Sequence, residues 1–167
     1  QAIALYEDYL SGEDALADVV YEWIGECRAL GWDLEGTMIA YQQALAATKD
    51  RGMEVSLREK IAGIHLAQAD QDAALEQYAA ILDVARIDSY RAKVEYLTAQ
   101  ALAASGRTVE AYERYQRVMD SYPDSEHAYL ALVELVDAGV EVDEYQRGLV
   151  DYYAGATYPD AYRAAMR

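Results

Sequence analysis

The side chains able to do chemistry are few in this chain of 167 residues: His65, His127 and Cys27, set among thirty acids. Metal and nucleophilic sites need histidine or cysteine at defined spacing, and two isolated histidines do not supply it. His65 reads as a packed or surface histidine inside a helix pair. His127 stands near a helix start, where Ser125 is the more obvious capping group. A single cysteine excludes an internal disulfide and any cysteine-built metal cluster, so Cys27 reads as a small packing residue. The acid groups Asp70/Asp72 and Glu141/Asp143/Glu144 have the chemistry of general acids and bases. With thirty acids such neighbours arise by chance, and they read as solvated faces and helix-start charges. There is no glycine-rich phosphate loop. The expectation is no catalytic residue, no metal and no cofactor.

Composition narrows the partners. The formal net charge is −16, which repels the phosphates of nucleic acid and anionic lipid surfaces and favours basic or neutral partners. No run approaches the length of a membrane-spanning helix, so no membrane insertion is expected. Apolar residues make up 53% and charged ones 26%, the balance of an ordered chain. Gln1 is neither an initiator methionine nor the start of a signal peptide, and the natural start is expected to lie further upstream.

The elements that would position these residues come from a repeated stretch. Ala74-Leu75-Glu76-Gln77-Tyr78-Ala79-Ala80-Ile81-Leu82 has counterparts beginning at Ala111, at Thr37 and, more loosely, at Ala2. A small residue, an apolar one, a tyrosine in the fifth place and an apolar pair make one face of an α-helix. Thr37, Ala74 and Ala111 lie 37 residues apart, and so do Gly25, Ala62 and Ala99 upstream of them. A fixed period of this size means stacked helix–turn–helix units. Small residues at paired places let two antiparallel helices approach closely. The turns are Gly31-Trp32-Asp33, Ala69-Asp70 and Gly106-Arg107-Thr108, with Asp33, Asp70 and Thr108 placed to cap the second helix. Pro123 closes the last regular unit. The helix pairs are predicted over about 14–48, 52–85 and 88–121, followed by an irregular part, 125–167, with one helix from Ser125 to Gly139 and another over 143–154 ending at Gly155.

This unit resembles the tetratricopeptide repeat, on the pairs Gly25/Thr37, Ala62/Ala74 and Ala99/Ala111, on Tyr41, Tyr78 and Tyr115, and on Gly106 and Pro123. The resemblance implies an all-α, right-handed α-solenoid of about ten helices over residues 1–167, a fragment of a longer array that serves as a protein-interaction or structural scaffold. In that family ligands lie on the concave face, supplied by the first helix of each pair. By register this face carries Val19, Glu22 and Glu26, then Ser56, Glu59 and Gly63, then Lys93, Tyr96 and Gln100. The family's carboxylate-clamping groove uses Lys and Asn. Glutamates stand at the matching places Glu22 and Glu26, Leu97 stands where a base would be, and only Lys93 agrees. A groove carrying these acids would repel a peptide carboxylate.

Residues 144–155, with the preceding Leu132–Gly139 run, are similar to the superhelical region upstream of the catalytic domain in soluble lytic transglycosylases. The resemblance implies a non-catalytic scaffold region of such a cell-wall enzyme. Peptidoglycan is then a possible partner and the setting extracytoplasmic, where otherwise it would be cytoplasmic. The Glu-Ser dipeptide of the catalytic domain is absent, so the chain is expected not to cleave peptidoglycan, and its net charge of −16 predicts no binding to duplex DNA. Five tyrosines, Tyr145, Tyr152, Tyr153, Tyr158 and Tyr162, crowd the C-terminal part; they read mainly as core, the alternative being that some line a groove, where tyrosines suit peptides or sugars equally. Residues 2–10 carry a second-helix pattern (Ile3, Tyr6, Tyr9, Leu10) without a first helix before it. With residues 158–167, where Ala161-Tyr162 resumes the signature, they predict self-association through unpartnered end helices.

Overall fold

The computed structural model describes residues 2–12 and 15–157. These residues fold as an all-α protein of nine helices: α1 (Ala2–Gly12), α2 (Ala17–Leu30), α3 (Leu34–Ala47), α4 (Arg51–Ala67), α5 (Gln71–Val84), α6 (Asp88–Ala104), α7 (Thr108–Ser121), α8 (Glu126–Asp137) and α9 (Glu144–Thr157). They form two compact units that divide after Val84. In the first, α2 packs on α3 and α4 on α5 as antiparallel hairpins, α3 joins the two, and α1 lies on α2. In the second, α6 and α7 form the hairpin, α8 rests on both, and α9 packs on α8 and α7.

The apolar periodicity accounts for both cores. Tyr41, Ala44, Leu57, Ile61 and Ile64 cluster between α3 and α4, with Tyr21, Met38, Leu45 and Met53 around them. Val94, Ala99, Ala111, Val118, Met119, Leu135 and Val150 are buried in the second unit. Each large aliphatic side chain fully withdrawn from water contributes roughly 1.5–3 kcal/mol.

One turn recurs. After α2 the Asp33 N–H donates to the Arg28 carbonyl (3.0 Å) and the Trp32 N–H to that of Ala29 (3.0 Å). After α4 the same bonds run from Asp70 to His65 and from Ala69 to Leu66, and after α6 from Arg107 to Leu102 and from Gly106 to Ala103. This is the Schellman motif, which satisfies the last carbonyls of a helix and needs a left-handed residue after its cap. That residue is Trp32 (φ 60), Ala69 (φ 58) and Gly106 (φ 79), at the same place in each repeat. Gly31, in the turn predicted from sequence, is not the residue that takes this conformation; its φ is −87.

Asp33 Oδ1 accepts from the Gly36 N–H (2.9 Å), Asp70 Oδ1 from Ala73 (3.2 Å), and the Ser125 hydroxyl from Ala128 (3.1 Å). Thr108, predicted to cap α7, is instead its first residue. The capping place falls on Arg107, which makes no side-chain cap and forks onto Glu110 at 2.8 and 2.6 Å. The α9 helix runs past Gly155, its predicted end, to Thr157.

Two further expectations are corrected. The α1 face of Ile3, Tyr6, Tyr9 and Leu10 is not left unpartnered. It packs against Val20 and Ile24 of α2 and Ala40 of α3, and Tyr6 stacks on Trp23 with ring centroids 5.7 Å apart. A face already used within the chain gives no ground for self-association. In the C-terminal tyrosine cluster, Tyr145 and Tyr152 are exposed and Tyr153 partly so, because α9 turns Val150 and Ala154 inward and carries Tyr145 and Tyr152 on another stripe. Tyr158, Tyr162 and the rest of 158–167 lie outside the described residues.

Candidate functional site

Glu22 and Glu26 stand one turn apart on α2, so their carboxylates share a face. Lys60 of α4 reaches across to both, its Nζ donating to Glu22 Oε1 at 2.7 Å and Glu26 Oε1 at 2.8 Å. The same ammonium lies 5.4 Å from the centre of the Tyr41 ring, within cation–π range. Burial lowers the Lys60 pKa, but the hydrogen bonds and charges of Glu22 and Glu26 outweigh it and the net shift is upward. The Tyr41 phenol is raised by burial and by the two glutamates, with Lys60 opposing. The acids read as a surface repelling a carboxylate are therefore held on a lysine that sequence reasoning did not single out. Glu59, next to Lys60 on α4, acts on Tyr78, whose pKa rises through burial first and this charge second.

On α6, Lys93, Tyr96 and Gln100 follow the helical spacing and share a stripe. Tyr96 is 8% exposed, so it belongs to the core and not to an open ligand face. Its hydroxyl bonds Glu134 Oε1 of α8 at 3.2 Å and Gln100 Nε2 at 3.1 Å. Its ring packs on Tyr115 (5.6 Å) and on His127 (5.7 Å). Burial, the Glu134 charge and its hydrogen bond raise the Tyr96 pKa against the opposing bond from Gln100. Tyr115 is pushed far up by burial and the same glutamate. His127 is depressed by burial and by Lys93, with Glu126 opposing. Lys93 Nζ lies 5.5 Å from the centre of the Tyr90 ring.

Two polar pairs that sequence reasoning missed occupy one repeat position. Arg58 Nη1 of α4 meets Gln77 Oε1 of α5 at 3.3 Å, and Arg114 Nη1 of α7 meets Glu95 Oε2 of α6 at 2.6 Å. Arg58 and Glu95 are 37 residues apart, as are Gln77 and Arg114. The signal was the period itself, applied to polar residues as well as apolar ones.

The repeated residues are all buried: Gly25, Thr37, Tyr41, Ala62, Ala74, Tyr78, Ala99, Ala111 and Tyr115. A methyl group added at Gly25 would collide with the Tyr41 ring, so that ring fills the space the glycine leaves. Among the described residues, no three His, Cys, Asp or Glu side chains are grouped to hold a metal ion. None of the described helices is long and apolar enough to cross a membrane. No protein-family model matches the chain, and no curated protein matches it significantly.

Proposed function

We propose that this chain is a non-catalytic protein-interaction scaffold built of tetratricopeptide-like repeats. The observation that supports it is the equivalence of Arg58–Gln77 and Glu95–Arg114, two pairs bridging the hairpins of successive repeats with reversed polarity. One backbone arrangement is kept while its side-chain chemistry changes, which fits a repeat unit whose packing is fixed and whose polar residues are free to differ. The partner is a protein or peptide of basic or neutral character, by the charge of the chain. Selection of displayed random peptides on the full chain tests this. Enrichment of a shared motif that binds with one-to-one stoichiometry is the expected result. A lack of enrichment, or glycan cleavage that disappears with one carboxylate, overturns it.

The resemblance of residues 132–155 to the superhelical region of lytic transglycosylases supports a second reading, a scaffold region working at the cell wall. These residues fall on α8 and α9, where Tyr145 and Tyr152 are exposed and available to stack on sugar rings. Co-sedimentation with purified peptidoglycan, lost in a Tyr145→Ala/Tyr152→Ala variant, is its test.

A further inference from the structure

A cleft of about 480 Å³ opens in the first unit between α1 and α3, with α2 as its floor. Its walls include Leu10, Ile24, Ile39 and Ala40, and its polar members include Glu7 and Arg28. It is distinct from the Glu22–Lys60–Glu26 cluster, because Ile24 and Arg28 occupy another stripe of α2. Ile39 is 49% exposed in the middle of α3, an aliphatic side chain whose outer half no part of the described chain covers. The volume lies in the range of ligand sites.

The charges of the cleft decide between occupants. Within the lining Glu7 and Arg28 offset each other at 3.6 Å, and at the rim Asp33, beside the lining residue Gly36, lies 3.3 Å from the same guanidinium and adds a second carboxylate. The balance is negative, in a chain of net charge −16. A carboxylate ligand or an acidic peptide would be repelled, and an apolar segment flanked by Lys or Arg would be attracted. A groove between two helices, lined by aliphatic side chains, takes an amphipathic helix that presents apolar residues at three- and four-residue spacing. We propose that the α1–α3 cleft is the docking site for a basic amphipathic helix of a partner protein, with Ile39 as its central apolar contact. This rests on the scaffold reading and names the class of partner.

The test uses the full chain and a fluorescein-labelled peptide of leucine and lysine in amphipathic helical order, read by anisotropy. Two control peptides replace lysine by glutamate or leucine by serine. Binding of the leucine–lysine peptide alone is expected. Ile39→Asn, which leaves the described core untouched, should weaken it about tenfold or more. Gln43→Lys, which adds like charge at the cleft, should weaken it too. Val133→Asn, on an exposed position of α8, should leave it unchanged, and all three variants should keep the parent melting curve. No binding of the leucine–lysine peptide, or equal binding by parent, Ile39→Asn and Gln43→Lys, overturns the assignment. If peptides selected from the random library bind and this one does not, the cleft fails and the scaffold stands; if neither binds, both fail.

Discussion

At the scale of single residues, burial separates side chains that look alike in the sequence. Tyr78 is 3% exposed and Tyr152 is 70% exposed. Tyr78→Ala should lower the unfolding free energy by about 3–5 kcal/mol, the usual cost of truncating a buried aromatic. Tyr152→Ala should change it by less than about 0.5 kcal/mol. Urea denaturation of the two variants measures the contrast, and similar losses would contradict the packing of α9. The repeat period marked Tyr78, because a phase shared with small residues is a packing signal. It said nothing of Tyr152, which lies where the period breaks down. His127 gives a prediction in pH. Burial and Lys93 depress its pKa in the folded chain while Glu126 opposes them; the Tyr96 ring faces it. The folded state thus binds this proton less readily than the unfolded chain, whose histidine titrates near about 6.5. The stabilisation is complete above that value and is lost as pH falls through the lower folded pKa. Between about pH 7 and pH 5 the parent should therefore lose more stability than His127→Gln, and parallel curves from chemical denaturation would disprove it.

Helices and turns show a different mixture of legible and hidden features. Asp33, Asp70 and Ser125 were readable as caps because a short side-chain acceptor before a helix has one local use. The left-handed residue of the first two turns was not, because Trp32 and Ala69 have no preference for that conformation and Gly31, which has one, stands one place before Trp32. Only the bonding of the turn, set by where α2 ends, decides between them. Ala69 and Gly106 hold equivalent places with φ of 58 and 79. A residue with a Cβ is strained there by roughly 1–2 kcal/mol. Ala69→Gly should therefore stabilise the chain by about 1 kcal/mol, and Gly106→Ala should destabilise it by a similar amount. Midpoints of urea unfolding with unchanged slope would show it. If both substitutions shift stability in the same direction, the turns are not equivalent. The polar pairs Arg58–Gln77 and Glu95–Arg114 were hidden for a related reason. Their members are 19 residues apart in each case, and only the register of one helix against the next brings them together.

Over the whole molecule, the all-α class and the positions of the hairpins were legible, since a period of 37 residues runs through them. The division after Val84 was not; the period passes across Val84 and Ala85 without a break, so no local composition marks it. Nor did the sequence show that α1 would find its partner in α2, because its pattern matches a second helix whose first is missing. The net charge of −16 acts at this scale too. Mutual repulsion destabilises a compact chain, and salt screens it over about 8 Å at physiological strength. Thermal stability should therefore rise as sodium chloride is raised from low to moderate concentration, despite some weakening of the Lys60 bridges. A melting temperature that falls with salt would mean that those bridges outweigh the general repulsion. The placement of the two tryptophans has a consequence for optical work. Trp23 packs on Tyr6, Trp32 is 89% exposed on its turn, and both precede Val84. With no other tryptophan in the chain, indole emission watches the first unit alone. Trp32 already emits from water and is open to iodide quenching in the native protein. Trp23, 44% exposed against Tyr6, is the more sheltered of the two and supplies the larger share of a modest colour change on denaturation, while the second unit is followed by tyrosine absorbance and far-ultraviolet dichroism.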